Sequence, residues 1–178
     1  MARRRATRWP TCCANPDIVY GEGINVGYKG YDVAGIQPLF PFGYGLSYTG
    51  FGYRDLSMQT PNVHAARLGD VHIRFRITNT GGRSGTETAQ VYLGLPTSTG
   101  EPPKRLVGYA QVTLDAGKSK MVHITIDPRA STHPLSYFDQ TLGQWRITPG
   151  TYRVYVGTSV SSSTPRRAVI GCSGAWGR

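Results

Sequence analysis

Apolar and polar residues alternate through most of the chain after residue 50. The clearest run contains Val71, Ile73, Phe75 and Ile77, each separated from the next by a polar residue. Successive side chains of a β-strand point to opposite faces, so this run predicts a strand with one buried and one solvent-facing side. It ends at the turn-rich sequence 79–82, Asn-Thr-Gly-Gly, which is typical of a chain reversal.

Six further segments have the length and pattern of strands. We expect the last two of them to pair as a hairpin around the turn Thr148-Pro149-Gly150, and we place Trp145 and Tyr152 in the core. About seven short strands with regular turns predict an all-β protein, an antiparallel β-sandwich of the immunoglobulin type over residues 51–160. The six segments are 51–58, 89–93, 107–114, 122–126, 144–147 and 152–156. In the second of them, alternation places Gln90 and Tyr92 on the side away from the core.

The stretch before the strands, residues 17–50, is rich in glycine and aromatic residues and has no sustained period. Pro38 and Pro41 oppose a regular helix around them. We therefore predict an irregular but ordered segment. Because long loops without structure are uncommon inside a compact domain, we expect this segment to lie against something larger.

The aromatic residues of this stretch allow two interpretations. Their rings could pack against a neighbouring domain, since large side chains are enriched at interfaces, or they could stack on sugar rings. We favour domain packing and keep a carbohydrate surface as the alternative. The residues are Tyr28, Tyr31, Phe40, Phe42, Tyr44, Tyr48 and Tyr53.

The formal net charge of +10 sits largely in the chain ends. Seven arginines lie within residues 1–8 and 166–178, and without them the interior carries 13 cations against 10 acids. No basic stripe with interleaved aromatic residues runs through a predicted strand, so we expect no nucleic-acid partner. We predict that the basic leader 1–16 and the Ser/Arg-rich tail 161–178 are disordered.

No segment has the length of a membrane span or the apolar core of a secretory signal. We therefore expect no membrane partner, and the compartment is not assigned. Cys12, Cys13 and Cys172 lie outside every periodic stretch, and their spacing does not suggest a zinc site.

Each residue that could carry chemistry has an ordinary structural interpretation. Glu22 lies in the irregular segment, and Asp32 and Asp55 are expected at turns or strand ends. Ser47 lacks the GxSxG elbow, and Gly21-Glu22-Gly23 does not extend to a phosphate-binding GxGxxG. The four histidines do not have metal-ligand spacing, and we interpret them as solvated side chains: His64, His72, His123 and His133. We assign no catalytic, cofactor-binding or metal-binding residue.

Two blocks of the sequence resemble one known family. Residues 22–32 together with 38–49, Pro-Leu-Phe-Pro-Phe-Gly-Tyr-Gly-Leu-Ser-Tyr-Thr, resemble the end of the second, α/β domain of family 3 glycoside hydrolases of the β-glucosidase type. The second block resembles the fibronectin type III-like domain that follows in many of these enzymes. It comprises 79–81, 90–94, 103–109, 135–139, Trp145 and 150–157.

This resemblance implies that residues 17–50 are a remnant of the α/β domain and that 51–160 form the fibronectin type III-like domain. It also implies that the catalytic aspartate and the acid/base glutamate belong to upstream regions that the matched segments do not include. Retaining glycosidases need both carboxylates. We therefore expect an accessory, stabilising module that is inactive alone, needs no cofactor, and has the catalytic domains of its parent enzyme as partner. A free-standing carbohydrate-binding sandwich that binds β-glucan or oligosaccharide is the alternative.

Overall fold

The computed structural model describes residues 21–59 and 69–170, with the backbone alone for 164–170. Nine strands, one short α-helix and a single 3-10 turn at Thr97–Thr99 make up the described elements. In chain order the α-helix and strands are α1 (Tyr28–Ala34), β1 (Phe51–Gln59), β2 (Val71–Asn79), β3 (Gly85–Gly94), β4 (Arg105–Leu114), β5 (Ser119–Ile126), β6 (Tyr137–Asp139), β7 (Gln144–Arg146), β8 (Gly150–Gly157) and β9 (Thr164–Ile170).

Seven of these strands form the two layers of a sandwich. Sheet A has the order β1-β2-β5, and sheet B has the order β4-β3-β8-β9, with every pair antiparallel. Strands β6 and β7 form a separate two-stranded hairpin. The prediction of an all-β antiparallel sandwich of about seven strands is confirmed.

The core lies between the two sheets and follows the alternation in the sequence. Strand β2 buries Val71, Ile73, Phe75 and Ile77, while the residues between them face outward. One continuous cluster joins these side chains to the inner faces of β3 and β8. Burial of branched and aromatic side chains from both layers is what holds the sandwich together.

The predicted final hairpin is wrong. Strand β7 pairs with β6, so that Phe138 lies opposite Trp145, whereas β8 pairs with β3 and β9. Asp139 fixes the tight turn between β6 and β7, because its Oδ1 accepts the backbone N–H groups of Thr141 and Leu142. Its Oδ2 also accepts a charge-assisted hydrogen bond from Arg146 at 3.1 Å.

The core assignment of Trp145 is therefore also wrong. Its side chain is 47% exposed and stacks on His133 with ring centroids 4.1 Å apart. Tyr152, on β8, is fully buried as predicted, and its hydroxyl donates to the carbonyls of Leu135 and Thr148.

The disordered tail predicted from residue 161 is wrong for Thr164–Ile170, which form β9 along the edge of β8. The composition of Ser161 to Arg167 suggested a linker, but the open edge of β8 offers backbone partners whatever the side chains. Residues 171–178 and the leader 1–16 lie outside the described residues.

Candidate functional site

The segment between Gly21 and Gly50, called the aromatic segment below, is more regular than predicted. It contains α1, so the expectation of a wholly irregular stretch is wrong for Tyr28–Ala34. Gly35 ends the helix in the left-handed conformation, with φ 64°, which glycine adopts without strain. Pro38 and Pro41 follow the helix and limit it to fewer than two turns.

The inner side of the aromatic segment packs on the outer face of sheet B. The ring of Tyr28 stacks on Phe42 with centroids 4.9 Å apart and meets the edge of Tyr92 on β3 at 6.0 Å. The Tyr28 hydroxyl accepts the backbone N–H of Leu106 on β4 at 2.9 Å. The Phe42 carbonyl accepts the N–H of Val160 at 3.0 Å. These contacts attach the segment to three separate parts of the sandwich.

This packing explains why β3 is buried on both faces near its end. We predicted that Gln90 and Tyr92 face away from the core, and they do, but the aromatic segment covers them. The Gln90 amide donates to the Gly43 and Thr158 carbonyls, and its oxygen accepts the Tyr92 hydroxyl. Gly43 has a φ of 82° and lies so close to Gln90 that a Cβ would collide with the amide.

The outer side of the aromatic segment leaves an extensive apolar surface in contact with solvent. Three side chains are almost fully exposed: Leu39 (88%), Leu46 (90%) and Tyr48 (94%). Monomeric proteins rarely expose large contiguous apolar surfaces, so this face has the character of an interface. Eight further apolar side chains of the segment are also exposed: Ile24, Val26, Tyr31, Val33, Ile36, Phe40, Phe42 and Tyr44. We call this surface the aromatic face.

Helix α1 depends on contacts outside itself. It has seven residues, no side-chain cap and no buried residue, and so short a helix is marginal on its own. A hollow of about 500 Å³ opens beside it, lined by Asn25, Val26, Gly30, Tyr31 and Ile36 among others. A partner that filled this hollow would stabilise the helix from its outer side.

Asp32 on α1 has one carboxylate oxygen without a described hydrogen-bond partner. Its Oδ2 is buried, yet it has no hydrogen-bond partner among the described residues. Burial raises the pKa of Asp32, and the charge of Lys104 opposes this effect. Buried polar atoms are nearly always hydrogen-bonded in native structures.

Three further carboxylates have ordinary structural surroundings. Glu22 is exposed in the turn that precedes α1. Asp55 lies in a β-bulge of β1 and accepts a hydrogen bond from Arg76 Nε at 2.8 Å. Glu101 forms an ion pair with Arg105 at 2.7 Å.

Glu87 lies near the start of β3, and no sequence motif distinguishes it. The Tyr53 hydroxyl donates to its Oε1 at 2.9 Å, and Tyr53 stacks on Phe75 in the core. Burial raises the pKa of Glu87, and the Tyr53 hydrogen bond opposes that rise. Burial also raises the pKa of Tyr53, and the neighbouring charge of Glu87 raises it further. Glu87 borders a cleft of about 360 Å³ between β3 and the aromatic segment, lined mainly by hydroxyl and amide groups.

The histidines and Ser47 are not brought together. His72 Nδ1 lies 3.2 Å from Thr125 Oγ1 on the outer face of sheet A, and His133 stacks on Trp145. The Ser47 hydroxyl accepts the N–H of Thr49 at 3.3 Å. Within the described ranges, no three His, Cys, Asp or Glu side chains are grouped as metal ligands. His64 lies outside these ranges.

Of the described helices, none combines the length and hydrophobicity of a membrane span.

Comparison with known proteins agrees with this architecture. Residues 87–160 match the fibronectin type III-like domain family. The thermostable β-glucosidase B of Acetivibrio thermocellus is 36% identical over 143 residues, which are 80% of this chain and 18% of that protein. The probable β-glucosidase D of Aspergillus niger is 32% identical over 161 residues, covering 83% of this chain and 21% of the relative.

Solved β-glucosidase structures match the fold as well. The β-glucosidase D2-BGL from Chaetomella raphigera superposes with a TM-score of 0.77 at 34% identity, covering 84% of this chain and 23% of that one. β-Glucosidase 3B from Thermotoga neapolitana, solved with glucose, superposes with a TM-score of 0.76 at 35% identity, covering 86% of this chain and 20% of that one. The chain thus spans about a fifth of the length of the relatives it matches.

Proposed function

Because this chain matches the C-terminal part of family 3 β-glucosidases and carries a fibronectin type III-like domain, we propose that it acts as the accessory module of such an enzyme. In this proposal the module stabilises the catalytic part by packing against it and performs no chemistry itself. Hydrolysis of β-linked sugars, through two carboxylates held on the catalytic part, is the activity proposed for the whole enzyme.

The observation that carries this proposal is the two-sided packing of the aromatic segment. Its inner side is attached to sheet B through Tyr28, Phe42 and Gly43. Its outer side leaves Leu39, Leu46 and Tyr48 in water. A segment that is fixed on one side and apolar on the other is suited to lie between two folded bodies. We therefore assign the outer side to the catalytic part as its docking surface.

Two further features support the catalytic part as the partner of the aromatic segment. Asp32 Oδ2 is buried without a partner in the described chain, and α1 has a hollow beside it but no buried side chain of its own. We propose that the adjoining domain supplies a donor to Asp32 and fills the hollow. In domain terms, residues 17–50 would be the end of the preceding α/β domain and 51–160 the fibronectin type III-like domain, extended by β9.

A specific observation supports a second function. Phe40 and Tyr44 form a tilted ring pair, 5.4 Å between centroids, on the exposed side of the segment. Pyranose rings of a β-glucan or oligosaccharide could stack on these rings if no protein covers them. This function requires the aromatic face to be free in the working protein, whereas the accessory-module proposal requires it to be covered.

Turnover by the purified chain separates catalysis from accessory function. We expect release of nitrophenol from an aryl β-glucoside to equal the buffer blank, and we expect no retention of the chain on insoluble β-glucan. Turnover that is lost in Glu87→Gln or Glu22→Gln would refute the non-catalytic assignment. Saturable glucan binding that Tyr44→Ala abolishes would instead establish the carbohydrate-binding function.

A further inference from the structure

The outer face of sheet A has an unusual charge distribution. Strands β1, β2 and β5 turn Arg54, His72, Arg74, Arg76 and His123 toward solvent. We call these five side chains the basic face. Among the 26 residues of the three strands, Asp55 is the single carboxylate.

Strand register places these basic side chains beside one another. Arg54 lies directly opposite Arg76, and Arg74 lies directly opposite His123. Opposed residues on antiparallel strands have Cβ atoms about 5 Å apart, and residues two apart on one strand are separated by about 7 Å. The arginines therefore form a regular grid on a flat surface.

Repulsion among the arginines of this grid destabilises the folded chain. Like charges directly opposite each other on neighbouring strands are destabilising. The β-bulge between Arg54 and Ser57 relieves part of that cost, since it exposes the extra residue Asp55, whose carboxylate binds Arg76. Asp55 has a φ of 56°, which is strained for a residue with a side chain. Arg54 and Arg74 have no ion-pair partner among the described side chains.

The basic face points away from the aromatic face. In a two-layer sandwich the outer faces of the sheets look in opposite directions, and the aromatic segment lies on the outer face of sheet B. A partner docked on the aromatic face would therefore leave the basic face open to solvent. The two surfaces can work independently of one another.

We propose that the basic face binds a linear acidic polysaccharide, a polymer with a carboxylate on each sugar. Arginine pairs with carboxylates through two parallel hydrogen bonds, and a flat grid of guanidinium groups suits carboxylates repeated along an extended chain. Hydroxyl groups of Ser57, Ser119 and Thr125 lie on the same face and can bond to sugar hydroxyls.

Other polyanions fit this face less well. Sheet A turns no aromatic ring outward for stacking on unpaired bases, and it offers no projecting helix or ribbon for a DNA groove. It also lacks the exposed apolar residues by which a protein anchors in a lipid surface.

The test compares two variants that each lose three arginines. Arg54→Gln/Arg74→Gln/Arg76→Gln, the grid variant, removes the three arginines of the basic face. Arg3→Gln/Arg4→Gln/Arg5→Gln, the leader variant, removes the same charge from the N-terminal leader. Affinity of the full chain for polygalacturonate is measured between about 50 and about 200 mM salt. Fully methyl-esterified polygalacturonate and duplex DNA serve as neutral and anionic comparators, and circular dichroism checks folding.

We expect the grid variant to bind polygalacturonate at least about tenfold more weakly, with a shallower salt dependence, because charge-assisted contacts are lost. The leader variant should change affinity less than about twofold, and the esterified polymer should not bind. Equal losses in the two variants, or unaltered binding by the grid variant, would overturn the proposal. Duplex DNA bound through the same arginines as tightly as polygalacturonate would replace it with a general polyanion site.

Discussion

At the scale of single residues, Glu87 gives the clearest link between environment and stability. Burial raises its pKa above the ordinary value of 4.5, while the hydroxyl of Tyr53 opposes the rise. The folded state therefore favours the protonated carboxyl. The resulting contribution to stability is fully present below the unfolded pKa and is lost as the pH rises through the raised folded pKa.

Glu87→Gln should accordingly stabilise the chain near pH 7 and change little near pH 4, because an amide resembles the protonated carboxyl. Since the side chain is only partly buried, the gain should be below about 1 kcal/mol. Thermal unfolding at both pH values measures it. Glu22→Gln makes the same charge change at an exposed position and serves as the control for the altered net charge. If the gain in stability of Glu87→Gln over the parent were smaller near pH 7 than near pH 4, the upward direction of the Glu87 pKa shift would be contradicted.

Residue positions were predictable from the sequence where burial follows strand period alone. The inner face of β2, Val71 to Ile77, is an example. Gln90 and Tyr92 were assigned to an outward face correctly, but their burial depends on the aromatic segment, which no local period reveals. The role of Glu87 likewise depends on Tyr53, 34 residues away.

At the scale of elements, the hairpin of β6 and β7 shows where pattern reasoning fails. The segments around Trp145 and Tyr152 are neighbours in sequence and share a turn between them, which suggested pairing. Strands of three residues carry too little alternation to identify their partner, and Asp139 reverses the chain before Gln144. The edge strand β9 was missed because backbone pairing, and not side-chain pattern, defines it.

The corrected pairing predicts unequal costs for two substitutions. Trp145→Ala should lower the free energy of unfolding by about 1 kcal/mol, the value of its stacking on His133 and Phe138. Val154→Ala, on the inner face of β8, should cost about 2 kcal/mol, because it leaves a cavity in the core. Urea unfolding measures both. A larger loss for Trp145→Ala than for Val154→Ala would place the tryptophan in the core after all.

At the scale of the whole molecule, the chain presents two unlike surfaces on opposite layers. The aromatic face is attached to sheet B and rich in exposed apolar side chains, and the basic face on sheet A is flat and cationic. In our account the first docks on the catalytic part of a β-glucosidase. The second remains free to hold an acidic polymer.

Docking through the aromatic face is tested most directly in a chimera. The matching C-terminal part of Thermotoga neapolitana β-glucosidase 3B is replaced by residues 21–178 of this chain, and the temperature of half-inactivation is measured on an aryl β-glucoside. Leu46→Ser/Tyr48→Ser alters the aromatic face. Leu142→Ser/Phe138→Ser removes one aliphatic and one aromatic side chain at exposed positions of the separate β6–β7 hairpin.

We expect the chimera to be active. Leu46→Ser/Tyr48→Ser should clearly lower its temperature of half-inactivation, and the second pair of substitutions should leave that temperature nearly unchanged. The reason is that Leu46 and Tyr48 would become buried against the catalytic part, and their loss would remove apolar contact area. An inactive chimera, or equal inactivation temperatures for the two pairs, would contradict it.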